Sequence, residues 1–187
     1  MIDSLPPPVE CTRVLIAGIG NIFLGDDAFG VEVAQRLLRR PQREGVRVVD
    51  FGIRGFDLAF ALQEEHQAVI LVDALPRGEP PGTLTVLEPD LADWGLLDER
   101  DAPELAVETH AMDPVKVLRL AMTMGGVERL SGRVLVVGCE PAEYGENENG
   151  EIGLSPSVAA AVYGALGLVD SLVQGMLAGA HADTLTR

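Results

Sequence analysis

Histidine, cysteine, aromatic and basic side chains are all scarce in this chain, and each shortage narrows what it can do. Its 187 residues include three histidines, two cysteines and 4% aromatics, with 14 Lys and Arg against 29 Asp and Glu. Cys11 and Cys139 are too few for a disulfide framework. Cys11 precedes one strand-like run and Cys139 follows another, so reduced structural thiols in a cytosolic protein are expected. A nucleophilic role for Cys139 stays open, because neither His66 nor His110 is its neighbour in sequence. The net charge of −15 repels phosphate backbones and argues against nucleic-acid binding through a broad basic face. Solubility alone accounts for much of the acid surplus. No long uncharged apolar run is recognised, so no membrane span is expected. The opening Met1-Ile2-Asp3-Ser4-Leu5-Pro6-Pro7-Pro8 has neither the basic nor the apolar part of a secretion signal. G-x-S-x-G elbows, H-E-x-x-H helices and P-loops are missing, which removes the standard hydrolase and NTPase signatures.

What the chain does have is a set of apolar strand-like runs that end in aspartate. Val14-Leu15-Ile16-Ala17 leads into Gly18-Ile19-Gly20-Asn21 and then Asp26-Asp27; Val46-Arg47-Val48-Val49 ends at Asp50; Ala68-Val69-Ile70-Leu71-Val72 ends at Asp73. Parallel strands gather their carboxyl ends at one edge of a sheet, where ligands of open α/β folds bind. Four carboxylates collected there would repel one another and lose water, so a cation or protons are expected among them.

Leu, Val and Ala must build the interior, and the length suits one core. The order of elements reads β-α-β-α-β, a short strand, a long acidic segment, then α-β-α. A helix is predicted from about Asp27 to Arg40, with Val31, Ala34 and Leu38 on its apolar stripe and Glu32, Gln35, Arg36 and Arg39 facing water. A second helix, from Gly55 through Phe56 to Gln63, is apolar nearly all round and should be deeply packed. The connection Pro76–Gly82 is too short for a crossover, so the strand at 83–87 should pair antiparallel at an edge. Asp113-Pro114 and Ser155-Pro156 are cap-plus-proline helix starts. The helix beginning at 155–156 presents Val158, Val162, Leu166, Val169 and Val173, and Arg133–Gly138 forms the last core strand. A mixed α/β sheet with helices on both faces follows. Neither an internal repeat nor a linker is visible, so 1–187 is expected to be one domain, with 1–11 and 179–187 as frayed tails. The acids of 88–108 read mainly as a solvated charge run.

Gly18-Ile19-Gly20 suggests a dinucleotide turn, but the third glycine of G-x-G-x-x-G would fall at Phe23, and acids open the following helix. A nucleotide- or nucleoside-handling enzyme is therefore the weaker alternative. One acid suffices to cap the first helix; Asp26 is assigned that role and Asp27 is left to face the cleft. Asp73 ends a strand apolar enough to be buried on both faces, so it is either protonated or a ligand. His66 and His181 are expected on the surface, whereas His110 precedes the Asp113 cap in a loop able to reach the sheet edge. Asp27, Asp73 and His110 make an open site suited to nickel or zinc.

The chain resembles the maturation endopeptidases of nickel–iron hydrogenases. The resemblance rests on Gly18-Ile19-Gly20-Asn21, Gly25-Asp26-Asp27-Ala28-Phe29-Gly30, Asp50-Phe51-Gly52 with Gly55, Leu71-Val72-Asp73-Ala74, Pro81-Gly82-Thr83, Thr109-His110, Gly138-Cys139-Glu140-Pro141 and Gly153-Leu154-Ser155-Pro156. It implies a three-layer α/β/α domain with a mixed, mostly parallel five-stranded sheet carrying one antiparallel edge strand. It also implies a cytoplasmic peptidase that trims a C-terminal extension from the nickel-loaded large-subunit precursor. The family's metal-contacting acid, acid and histidine fall on Asp27, Asp73 and His110, and its further strand-end aspartate on Asp50. Many members carry glutamate where this chain has Asp27. Nickel would arrive with the precursor, though zinc or another divalent ion suits the same donors. A chaperone that binds the precursor without cutting is the remaining alternative.

Overall fold

Strands Val14–Ile19 (β1), Val46–Gly52 (β2), Ala68–Ala74 (β3), Leu84–Leu87 (β4) and Arg133–Cys139 (β5) form one sheet in the spatial order β2-β1-β3-β5-β4. The computed structural model describes residues 13–90, 114–125, 132–142 and 153–184. β1 pairs parallel with β2 and β3, and β3 pairs parallel with β5. β4 runs antiparallel to β5 at the edge, as the short connection after β3 requires.

Strand alternation splits the interior into two layers. Val14 and Ile16 of β1 pack with Ile70, Val72 and the helices Phe29–Leu38 (α1) and Pro156–Thr184 (α4). Leu15, Ala17 and Ile19 pack on the opposite face with Val69, Leu71 and the helices Gly55–Ala61 (α2) and Pro114–Gly125 (α3). Every residue of β1 and β3 is buried, which is how parallel strands covered on both faces read.

The helices differ from expectation in instructive ways. A 3-10 turn, Asp26–Ala28, precedes α1, and the buried stripe falls on Phe29, Val33 and Leu37 beside Val31 and Ala34, leaving Leu38 45% exposed. α2 is packed on one side only: Leu58, Ala59 and Ala61 are buried, while Phe56 and Phe60 are 43% and 61% exposed. Its all-apolar sequence does not mean all-round burial. α4 buries Val158, Val162, Leu166, Val169 and Val173 as its spacing predicts. The Ser155 hydroxyl makes only a long capping contact with the Val158 N–H, at 3.5 Å. The backbone of α4 continues to Thr184. Pro156–Ala178 is long and apolar enough, by length and composition, to cross a membrane, so the chain does contain one such run. Its buried stripe against the sheet is that of a core helix. The predicted cap Asp113 lies outside the described residues.

Two glycines bring α1 down onto the strands. A Cβ at Gly18 would lie 2.4 Å from the Gly30 carbonyl oxygen, and one at Gly30 would lie 2.0 Å from that of Val72 and 2.4 Å from that of Ile19. No side chain fits between helix and sheet at this level. The Gly30→Ala variant should therefore push α1 off β1 and β3 at a cost of about 3 kcal/mol or more. For a chain of this size that is a fall in Tm of roughly 6–12 °C. A wild-type Tm for the variant would show that the contact is not the constraint described.

Candidate active site

The turn that follows β1 delivers two aspartates to the carboxyl edge of the sheet with different roles. The 3-10 turn Asp26–Ala28 lies against β3. Asp26 is buried and does not cap a helix, contrary to the sequence-based expectation. Its Oδ2 accepts the Ala142 N–H at 2.8 Å and its Oδ1 the Ser155 N–H at 2.7 Å. It therefore ties the chain after β5 and the start of α4 to the turn after β1. Asp27 is half-buried, and its Oδ2 accepts the Asn21 N–H at 2.7 Å. Its Oδ1 has no hydrogen-bond partner among the described residues. Burial raises the Asp27 pKa above its ordinary value, and the Asn21 N–H opposes the shift without cancelling it.

Asp73 is 2% exposed at the end of β3, with Oδ1 accepting the Ala74 N–H at 2.8 Å. Alternation puts it on the face of Val69 and Leu71. Its partner across the pair is Gly138, where a Cβ would crowd Leu75 at 2.8 Å. Asp50 belongs to the other face: Gln35 Nε2 of α1 donates to its Oδ2 at 3.1 Å. β1 lies between β2 and β3, so Asp50 and Asp73 are separated by two strand spacings, about 10 Å. The expected pooling of four carboxylates thus does not occur. Asp26 and Asp50 are held by donors from distant segments, and Asp27 and Asp73, each accepting a backbone N–H, are the acids placed in the turn after β1 and at the end of β3. Among the described residues no three His, Cys, Asp or Glu side chains gather closely enough to hold a metal ion. His110, the third predicted ligand, lies outside them.

Other assignments change. His66 is not on the surface: it is 4% exposed, with Nε2 2.8 Å from the Ala61 carbonyl oxygen. The side chain of His181 lies outside the described residues, as does Cys11. Cys139 is fully buried, and burial, aided by the negative charges of Asp26 and Glu140, pushes its thiol pKa up to about 12. That removes it as a nucleophile at neutral pH. The residues missed from sequence are the orienting ones. Gln35 is on a helix face predicted to meet water, yet it holds Asp50. Glu140 is buried at the end of β5 and accepts the N–H groups of Arg77 and Gly78 at 2.7 and 3.1 Å. Burial works against its ionisation, but these N–H groups and that of Glu79 prevail and hold its pKa below the ordinary value. Only the Gly138-Cys139-Glu140-Pro141 motif hinted at such a role. A shallow cleft of about 320 Å³ opens beside the edge, lined in part by Asn21, Gln35 and Asp50.

An open α/β sheet thus brings buried and half-buried carboxylates to its carboxyl edge, beside a protonated thiol at Cys139. Comparison with known proteins identifies the family. The family model for hydrogenase maturation proteases (HycI) matches residues 31–171. The hydrogenase expression/formation protein HupD of Rhodobacter capsulatus is 32% identical, over 82% of this chain and 67% of its own length. The coenzyme F420 hydrogenase subunit delta of Methanothermobacter thermautotrophicus is 30% identical, over 84% of this chain and 92% of its own. Among solved structures, the hydrogenase maturating endopeptidase HybD from E. coli aligns with a TM-score of 0.65 at 26% identity, covering 87% of this chain and 93% of that one. A hydrogenase 2 maturation peptidase from a Thaumarchaeota archaeon aligns with a TM-score of 0.63 at 28% identity, covering 87% and 98%. The chain belongs to the hydrogenase maturation protease family and is a peptidase.

Two substitutions test the division of labour between neighbouring aspartates. Asp26→Ala removes a buried carboxylate that accepts two part-buried N–H groups and should cost about 1–3 kcal/mol in denaturant unfolding. Asp27→Asn should do the opposite. Because the folded-state pKa is raised, wild-type stability falls as pH rises from the unfolded value of 3.8 through the folded one. The variant, neutral throughout, escapes that loss: its Tm should exceed wild type at pH 7 and converge with it near the acid end. An Asn variant less stable than wild type at pH 7 would refute the burial cost assigned to Asp27.

Proposed function

We propose that this peptidase removes a C-terminal extension from the nickel-loaded large-subunit precursor of a nickel–iron hydrogenase, and that Asp27, Asp73 and His110 engage the nickel of that substrate. The observation that carries the proposal is the state of Asp27. A carboxylate that loses water on folding, raises its pKa and keeps one oxygen without a partner among the described residues is held ready for a cation. Asp73, buried at the end of the neighbouring strand, is the natural second donor. His110 supplies the imidazole that sequence order and family resemblance assign to the same edge.

Two carboxylates and one imidazole leave coordination positions for the precursor's own ligands. Nickel then marks a substrate whose metal has been inserted, and it can polarise the scissile carbonyl or lower the pKa of an attacking water. In this chain Asn21 fixes one oxygen of Asp27, so that Oδ1 is the oxygen offered. Gln35 holds Asp50 towards the cleft, where it can orient the peptide or accept a proton from water. Zinc or another divalent ion would suit the same donors, and the cytoplasm is the proposed location. The glycine turn does not favour a nucleotide. A Cβ at Gly20 would sit 1.8 Å from the Asp27 carbonyl oxygen, and the Asn21 N–H is already taken by a carboxylate. A chaperone that binds without cutting does not account for membership in a peptidase family.

Incubating the protein with nickel-loaded and nickel-free precursor and weighing the products tests the function. Wild type should trim only the nickel-loaded form. Asp73→Asn and His110→Ala should each fall below about 1% of the wild-type rate, the scale of losing one electrostatic contact in a transition state, with near-native circular dichroism. Processing at the wild-type rate by both variants would refute the ligand assignment.

A further inference from the structure

We infer that a trough across the outer face of α1 receives the substrate's C-terminal extension through its apolar side chains; this rests on the peptidase function proposed above. Two clefts of about 320 and 330 Å³ share Ile22, Val31 and Gln35 as walls, so they form one continuous depression. One end is bounded by Phe23, Asp50 and Ile53, the other by Arg36, Leu154 and Ala159. Asn21 and Ala28, which line it, flank the Asp27 turn, so the trough begins at the edge that carries the candidate site.

What the trough selects follows from which of its groups are already satisfied. Arg36 is paired with Glu32 at 2.7 Å and lies 4.8 Å over the Tyr163 ring. Gln35 is bonded to Asp50. Arg54 donates to the main-chain oxygens of Phe51 and Asp50. The polar lining is engaged with itself, whereas the apolar rim is not: Ile22 is 48% exposed, Phe23 72% and Ile53 47%. In a chain with five phenylalanines, leaving such groups uncovered beside a peptidase site marks a surface that is covered in the complex. A continuous apolar-rimmed depression that starts beside the candidate site suits the side chains of an extended segment better than the flat face of a folded partner. The end of a chain that is about to be removed is the segment free to adopt that form.

The test compares Phe23→Ser and Ile53→Ser with Phe60→Ser, a control on the exposed face of α2, in single-turnover and steady-state cleavage of nickel-loaded precursor. The trough variants should raise KM about tenfold with kcat near wild type, since uniform binding is what they lose; the control should not. A photo-cross-linker in place of Phe23 should label the C-terminal extension. Wild-type KM in both trough variants, or labelling confined to the body of the precursor, would overturn the inference while leaving the peptidase function standing. Failure of wild type itself to cleave would instead refute the function.

Discussion

The contact of α1 with β1 and β3, made without side chains at Gly18 and Gly30, is the constraint on which the site depends. It sets how far the helix descends onto the sheet, and so where the turn leading into it must run. That turn has no freedom left: Gly20 is pressed against the Asp27 carbonyl, with its φ at +133°. Asp26 and Asp27 then leave a short 3-10 turn in opposite roles, one directed into the structure and one towards the edge. A bulkier residue at position 18 or 30 would displace both acids, so the packing and the chemistry share one cause.

Neighbouring acids with unlike fates illustrate how environment divides a repeated residue type. Asp26 meets two backbone N–H groups from segments 116 and 129 positions away and becomes a fastening between loops. Asp27 meets one and keeps the cost of its burial. Glu140, whose carboxylate gathers backbone N–H groups from residues 77–79, is stabilised in its charged form by them. The edge is therefore framed by Asp26 and Glu140, with Asp27, one of whose oxygens has no partner among the described residues, in the turn after β1. That is the arrangement expected of a site kept ready at some expense of stability.

Much of this was legible in the residues. Central strands announced themselves as unbroken apolar runs, and the antiparallel edge strand followed from a connection too short to cross over. The α4 stripe fell where its 3.6-residue spacing put it. What could not be read was tertiary choice. Nothing local says that Asp26 would be claimed by Ala142 and Ser155, or that Gln35, on a polar helix face, would reach Asp50. Phe56 and Phe60 looked like core because composition cannot distinguish a buried helix from one with an uncovered apolar face. His66 looked solvated because its neighbours in sequence are polar, yet the fold buries it against the Ala61 carbonyl.

The protonated state of Cys139 bears on how an acid-lined edge would treat a borderline cation such as nickel. A thiolate would compete for nickel and could strip it from a protein that had just acquired it. A thiol that holds its proton to about pH 12 makes no such bid. Carboxylates, being harder and weaker donors, can test for the ion and let it go. If the edge engages nickel as proposed, it can inspect the metal centre of its substrate without keeping the metal.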